Sequence, residues 1–282
     1  MTLLLRQILV LAAALGGLCA CAILDPSGHA DAIAASRGWS KTIAAMPPYG
    51  LARFGPSRLA AADGVLSVYI EGDGLAWRDT NTPSDNPTPR HPIGLQLAAA
   101  DPGNAVVYLA RPCQFISRRD WGGCTLADWT AGRFSPAIIA AYGRLLDDLK
   151  AESAATGLEL IGYSGGGVVA ALLAERRSDV VRLVTVAAPL DVAAWTEHHG
   201  VSPLSLSLDP ITEIRRLAGL SQVHLTGRHD RVVPAAIIAS FLRHLPPDGP
   251  VRTIAVDASH DCCWEDQWPS LRRQMGPPPP SP

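Results

Sequence analysis

The chain has 282 residues, 48% of them apolar and 18% charged, which is enough apolar material for one sizeable core and excludes a disordered chain. Its 24 Lys and Arg nearly cancel its 26 Asp and Glu, leaving a formal charge of −2. No bulk field therefore favours nucleic acid or an anionic membrane surface, and nucleic-acid binding is not expected.

In chain order, the first element is Arg6 followed by an apolar run over 8–20 and a break at Asp25-Pro26. The run is about 13 residues, short of the ~20 that a membrane-spanning helix needs, so 1–20 reads as a signal peptide. It ends Leu18-Cys19-Ala20-Cys21, which resembles a bacterial lipobox. That resemblance implies a lipid on Cys21 as the mature N-terminus, ordinary cleavage without a lipid being the alternative. Ala22 is not Asp, which on the same resemblance points to an outer-membrane lipoprotein facing the periplasm, with membrane contact through the anchor. Residues 21–55, rich in Ala, Gly, Ser and Pro, read as a tether, and 276–282 as a Pro-rich tail, leaving 56–275 as one folded domain.

Beyond Cys19 and Cys21, four cysteines remain: Cys113, Cys124, Cys262 and Cys263. An even number in an exported chain reads as disulfides before metal. Cys113 with Cys124 would close a small ring and Cys262 could bridge to Cys263, while cross-pairing of the four stays open at this point. No two-residue Cys spacing with distant His partners occurs, so no metal site is expected.

Apolar, β-rich runs at 65–70, 105–109, 158–161, 181–186, 222–225 and 251–256 read as strands. Between them, 136–154 carries Ile138, Ile139, Tyr142, Leu145, Leu146 and Leu149 at helical spacing, and 166–177, 234–245 and 264–275 show similar patterns. Alternating strands and helices predict an α/β fold with a mostly parallel, doubly wound sheet and helices on both faces, because parallel strands need crossovers that cover the sheet. Ligands in such sheets sit beyond the carboxyl ends of the strands.

The residues there carry chemistry. Gly162-Tyr163-Ser164-Gly165-Gly166 is a G-x-S-x-G placed directly after a strand and before a helix. A sharp turn there exposes the Ser164 hydroxyl, and the helix N-terminus with the Gly165 N–H faces a developing oxyanion. A phosphate-binding turn is the competing reading, but no Lys follows and the P-loop spacing is absent. Further on, Gly227-Arg228-His229-Asp230-Arg231-Val232-Val233-Pro234 ends a strand, and Ser259-His260-Asp261 follows the last one. Asp191 and Asp209 are rival acids.

These placed motifs resemble the α/β-hydrolase family, whose G-x-x-D-x-x-V-P pattern carries the acid and whose order is Ser, Asp, His. The resemblance spans about 65–268. It implies a triad of Ser164, Asp230 and His260, no cofactor, and a small-molecule acyl ester as substrate. It also implies a second oxyanion donor from the turn Glu71-Gly72-Asp73-Gly74, from the main chain of Asp73 or Gly74, with Glu71 standing where the family often has His. The stretch from Ala110 to Thr130 is similar to that of a group of exported hydrolases and reads either as packing beside the site or as a plain disulfide-braced loop.

The insertion between 190 and 222 is short, so any lid is minimal; Trp195, Leu204, Leu206, Ile211 and Leu217 are its apolar residues, for a cover or for a core. The expected activity is that of a carboxylesterase or lipase-like serine hydrolase. The same triad serves acyltransferases and peptidases, and a non-catalytic scaffold lipoprotein would lack a triad member.

Overall fold

The computed structural model describes residues 26–280; the signal-peptide and Cys21 expectations lie outside them. An eight-stranded sheet runs in the order β1-β2-β4-β3-β5-β6-β7-β8. Its strands are β1 (Ser40–Met46), β2 (Tyr49–Gly55), β3 (Val65–Ile70), β4 (Val106–Leu109), β5 (Gly157–Tyr163), β6 (Val180–Val186), β7 (Ser221–Gly227) and β8 (Val251–Val256). β2 is antiparallel to both its neighbours, and every pairing from β4 across to β8 is parallel.

Among the described residues seven α-helices complete the fold: α1 (Pro26–Ser36), α2 (Ile93–Ala100), α3 (Pro136–Ser153), α4 (Gly165–Ala174), α5 (Val192–His198), α6 (Ala235–Leu242) and α7 (Trp268–Met275). Alternation along the strands divides the core into two layers. Leu66, Val68 and Ile70 of β3 and Leu158 and Leu160 of β5 face α3, α4 and Ile238 and Phe241 of α6. Tyr69, Ile161 and Tyr163 point the other way, toward α1, α2 and α7. The sheet is thus covered on both sides, as parallel pairing requires.

Local chemistry explains the helix ends. Ser135 caps α3 by accepting from the Ile138 N–H, Pro136 fills the first turn where its missing N–H is no loss, and Ala154 stops the helix in a left-handed conformation (φ 56°). α4, with the sequence GGGVVAALLA, is buried at every position, which its wholly apolar make-up permits. At the far end of the sheet from the site, Glu159 of β5 is fully buried and accepts from Ser67 Oγ (2.8 Å), Arg182 Nε (2.6 Å) and Arg272 Nη1 and Nη2 (2.8 Å each). Arg182 also donates to the carbonyls of Gly276 and Pro277, tying the chain after α7 to the sheet.

The tether reading of 21–55 needs correction over its described part. Residues 26–55 form α1 and the β1–β2 hairpin, with Leu51, Ala52 and Phe54 fully buried and β2 paired to β4. Residues 26–55 are therefore part of the folded unit, which the sequence reading begins at 56. Among the described residues no helix is long and apolar enough to cross a membrane.

Candidate active site

β5 runs straight into Ser164, which has φ 50° and ψ −127°, and Gly165 then opens α4. A non-Gly residue in this region carries of order 1–3 kcal/mol of backbone strain, tolerated only where the surroundings over-determine it. Here Ser164 N–H donates to Val186 O (2.8 Å), and Ser164 O accepts from Gly167 N–H (2.9 Å). The turn also leaves no room for two side chains. A Cβ on Gly162 would collide with the Gly166 carbonyl, and one on Gly166 with the carbonyls of Ile70 and Glu71.

β7 delivers Asp230, whose side chain is wholly buried. Its Oδ1 accepts from the Val232 and Val233 N–H groups (2.8 Å each), and its Oδ2 lies 2.9 Å from His260 Nδ1. His260, on the loop after β8, places Nε2 at 3.1 Å from Ser164 Oγ. Three residues separated by 30 and 96 positions are thus brought into one hydrogen-bonded line at the carboxyl ends of β5, β7 and β8. The His260 loop is itself held: Tyr163 Oη donates to the His260 carbonyl (2.8 Å), and the Trp264 indole N–H donates to the Ser259 (2.8 Å) and His260 (3.1 Å) carbonyls.

The rival acids lie elsewhere. Asp191 caps α5 through the Ala194 N–H and accepts from Ser240 Oγ, and Asp209 caps the 3₁₀ turn Pro210–Leu217. Of the other histidines, His224 is buried in β7 against Thr185 Oγ1, and burial pushes its pKa down to about 4. His229 pairs with Asp257 on the surface.

The turn after β3 sits directly against Ser164. A Cβ on Gly72 would lie 3.2 Å from the Ser164 Cβ, and one on Gly165 would collide with the Asp73 carboxylate. Among the described residues, the main-chain N–H groups of Asp73, Gly74 and Gly165 donate to no other protein group. Glu71 points away from Ser164. It accepts from the N–H groups of Gly72 (2.9 Å), Gly94 (3.1 Å) and Leu95 (3.3 Å) and from Tyr108 Oη (2.9 Å), which fastens the N-terminus of α2 to the end of β3. Burial raises the Glu71 pKa, against the pull of these donors.

Two arginines that the sequence did not single out for a role reach this turn. Arg111 Nη1 donates to Asp73 Oδ1 (2.9 Å) and Arg133 Nη1 to Asp73 Oδ2 (2.6 Å). Burial raises the Asp73 pKa, but the Arg133 and Arg111 charges outweigh it and hold the carboxyl below its usual range. Arg111 lies two residues before Cys113 and Arg133 nine after Cys124, and no local pattern marks either as a partner of Asp73, 38 and 60 residues away. A Cys113–Cys124 disulfide closes the stretch between those cysteines, and Cys262 pairs with Cys263 two residues past His260.

Beside Ser164 is a cavity of about 20 Å³ lined by Asp73, Arg133 and an apolar wall that includes Phe134, Val192, Trp195 and Leu204. A water molecule needs about 10–15 Å³ by such a measure, so the space is narrow. Of the apolar residues in the 190–222 insertion, Trp195 and Leu204 line this cavity, Leu217 is buried in the core, Ile211 packs on it, and Leu206 is exposed. Among the described residues, no group of three or more His, Cys, Asp or Glu is arranged to hold a metal ion.

The strand order, with β2 antiparallel to both neighbours at one end of the sheet and the helix-opening Ser after the fifth strand, decides the architecture. This is the α/β-hydrolase fold. An α/β serine hydrolase homologue from Coxiella burnetii superposes on 84% of this chain and 95% of its own, at a TM-score of 0.53 and 15% identity. A Pyrococcus furiosus esterase matches 86% of this chain and 95% of its own (TM-score 0.58, 15% identity). A Mycobacterium smegmatis proline iminopeptidase matches 84% and 97% (TM-score 0.58, 14% identity). No family model and no curated protein matches the sequence.

Proposed function

We propose that the protein is a serine hydrolase that cleaves a carboxylic ester through Ser164, His260 and Asp230. One observation carries the reading: on an α/β-hydrolase fold, a strained strand-to-helix turn presents Ser164 Oγ to His260 Nε2, whose other ring nitrogen meets a buried carboxylate. As Ser164 Oγ bonds to the ester carbonyl carbon, its proton passes to His260 Nε2, and Asp230 stabilises the imidazolium. The Gly165 N–H and that of Asp73 or Gly74 donate to the oxyanion. Collapse of the tetrahedral adduct expels the alcohol, which takes the proton from His260. Water deprotonated by His260 then attacks the acyl-enzyme, the acid leaves, and the proton returns to Ser164.

One structural neighbour is an esterase and another a peptidase, so the fold accommodates both leaving groups. The apolar wall of Phe134, Val192, Trp195 and Leu204 favours an acyl ester. On the sequence evidence of the leader and Cys21, supported by two disulfides, the enzyme is exported and membrane-anchored by lipid, facing the periplasm. The scheme uses no cofactor.

The test is labelling of the purified protein with a fluorophosphonate probe. Wild type labels and Ser164→Ala and His260→Ala do not, and wild type then turns over p-nitrophenyl esters. A wild type that neither labels nor turns over refutes the reading.

A further inference from the structure

The segment from Arg111 to Phe134 links the end of β4 to the cap of α3, and its polar side chains converge on the turn 71–74. Gln114 Nε2 donates to the carbonyls of Gly72 (3.1 Å) and Pro87 (3.3 Å), while its Oε1 accepts from the Arg111 N–H (3.1 Å). Arg111 and Arg133 each take one oxygen of the Asp73 carboxylate, at 2.9 Å and 2.6 Å. The arginines are also locked to each other and to the strap: Arg111 Nη2 donates to the Arg133 carbonyl, and Arg133 Nε to the Thr130 carbonyl (2.8 Å). The Arg111 guanidinium lies over the Phe134 ring, 5.3 Å from its centroid. Both arginines are more than nine-tenths buried.

Burying two guanidiniums around one carboxylate is a poor way to gain stability, since desolvation offsets much of the attraction. The arrangement does give geometric control. The carboxylate is held at both oxygens by the two guanidiniums and fills the space that a Cβ on Gly165 would need, which restrains Asp73 relative to the helix that begins after Ser164. The N–H groups of Asp73 and Gly165, which donate to nothing else among the described residues, are therefore restrained relative to one another.

We propose that Arg111 and Arg133 are positioning residues: by clamping the Asp73 carboxylate they hold the turn 71–74 at the separation from Ser164 and Gly165 that oxyanion stabilisation needs. This rests on the hydrolase reading above. The clamp acts on the transition state, because the ester carbonyl oxygen gains its full charge only there and a displacement of about 1 Å in such a site costs ~10²-fold in rate. A fork geometry is required, which Lys supplies only in part.

The experiment compares full-length wild type with Arg133→Gln, Arg133→Lys, Asp73→Asn and the double variant Asp73→Asn/Arg133→Gln, measuring kcat and KM on p-nitrophenyl acetate alongside thermal melting. Arg133→Gln and Asp73→Asn each lose ~10²-fold in kcat, in line with the loss of one oxyanion donor, with KM within about threefold of wild type. Arg133→Lys recovers part of the loss. The double variant is no slower than the slower single, because both changes break one clamp. A role confined to stability lowers the melting temperature and leaves kcat at 25 °C within about twofold of wild type; that result, or a double variant whose loss is the product of the two, overturns the proposal. Should Arg133→Gln not fold, Asp73→Asn and Arg133→Lys read the same kcat-to-KM split. A wild type as inactive as Ser164→Ala refutes the hydrolase reading instead, and the clamp falls with it.

Discussion

Replacing Asp230 by Asn changes neither shape nor size, so its effect isolates what the carboxylate does. The orientation of the new amide is decided by the two main-chain donors on Oδ1, from Val232 and Val233 at 2.8 Å each. Turning the NH₂ toward them would set donors against donors and leave two buried N–H groups unpaired, at ~1–3 kcal/mol each. The amide oxygen therefore stays on Val232 and Val233, and the NH₂ faces His260 Nδ1, 2.9 Å from the present Oδ2. A donor in that place forces His260 to carry its proton on Nε2, the nitrogen 3.1 Å from Ser164 Oγ, where it cannot accept the hydroxyl proton. Loss of the correct tautomer costs ~10⁴-fold in kcat in triads of this kind, which is about 5.5 kcal/mol of barrier. Steady-state hydrolysis of p-nitrophenyl acetate at neutral pH measures it, with thermal melting to confirm folding. A folded Asp230→Asn enzyme within tenfold of wild type would refute the tautomer argument and with it the assignment of Asp230.

Two further expectations concern stability. Glu159→Gln leaves the Arg182 guanidinium buried without its counter-charge, while Arg272 keeps Asp101 at 3.1 Å, a loss of ~3–5 kcal/mol for breaking a buried pair. For a domain of this size that lowers the melting temperature by roughly 6–20 °C, while kcat at 25 °C is unchanged; calorimetry giving a shift under about 2 °C refutes it. Glu175, with a wholly buried side chain, has its pKa raised by burial to about 8 in spite of Arg176 beside it. Between its unfolded pKa near ~4.3 and pH 8 the folded chain keeps a proton that the unfolded chain has released, so stability falls as pH rises through that window. Glu175→Gln flattens the decline in melting temperature between pH 5 and 8, and parallel curves for the two proteins count against the assignment.

The inner strands of the parallel half were legible because they are buried on both faces and rich in apolar residues, as in 65–70, which matches β3 residue for residue, while 251–256 matches β8 although that strand is a sheet edge with Arg252, Thr253 and Ala255 open to solvent. The site motifs were legible for a related reason: a turn at a strand's carboxyl end needs Gly, Asp or Pro, and these interrupt the runs visibly. The N-terminal elements were not. α1 buries only Ala30 and Ala34, side chains too small to make an apolar stripe, and β1 is an edge strand with most of its residues open to solvent. α2 spans barely two turns, too few for a period, and follows a Pro-rich loop. α7 begins at Trp268 rather than at 264, as Pro269 in its first turn could have signalled. The clamp on Asp73 was out of reach for a different reason: its arginines lie 38 and 60 residues away in the chain, and a long-range ion pair leaves no local pattern.

The hydrogen bond from Tyr163 to the His260 carbonyl bears on how the protein loses the proposed activity when heated. β5 and β8 are separated by β6 and β7, so across the sheet alone the Ser164-to-His260 spacing sums three interstrand steps of about 4.8 Å, each able to breathe. Tyr163, one peptide bond from Ser164, spans that gap directly with one hydrogen bond and restrains the spacing against changes in the sheet's twist. Warming should then leave the rate per folded molecule following ordinary activation until the β8 edge detaches, at which point activity and structure are lost together rather than in succession.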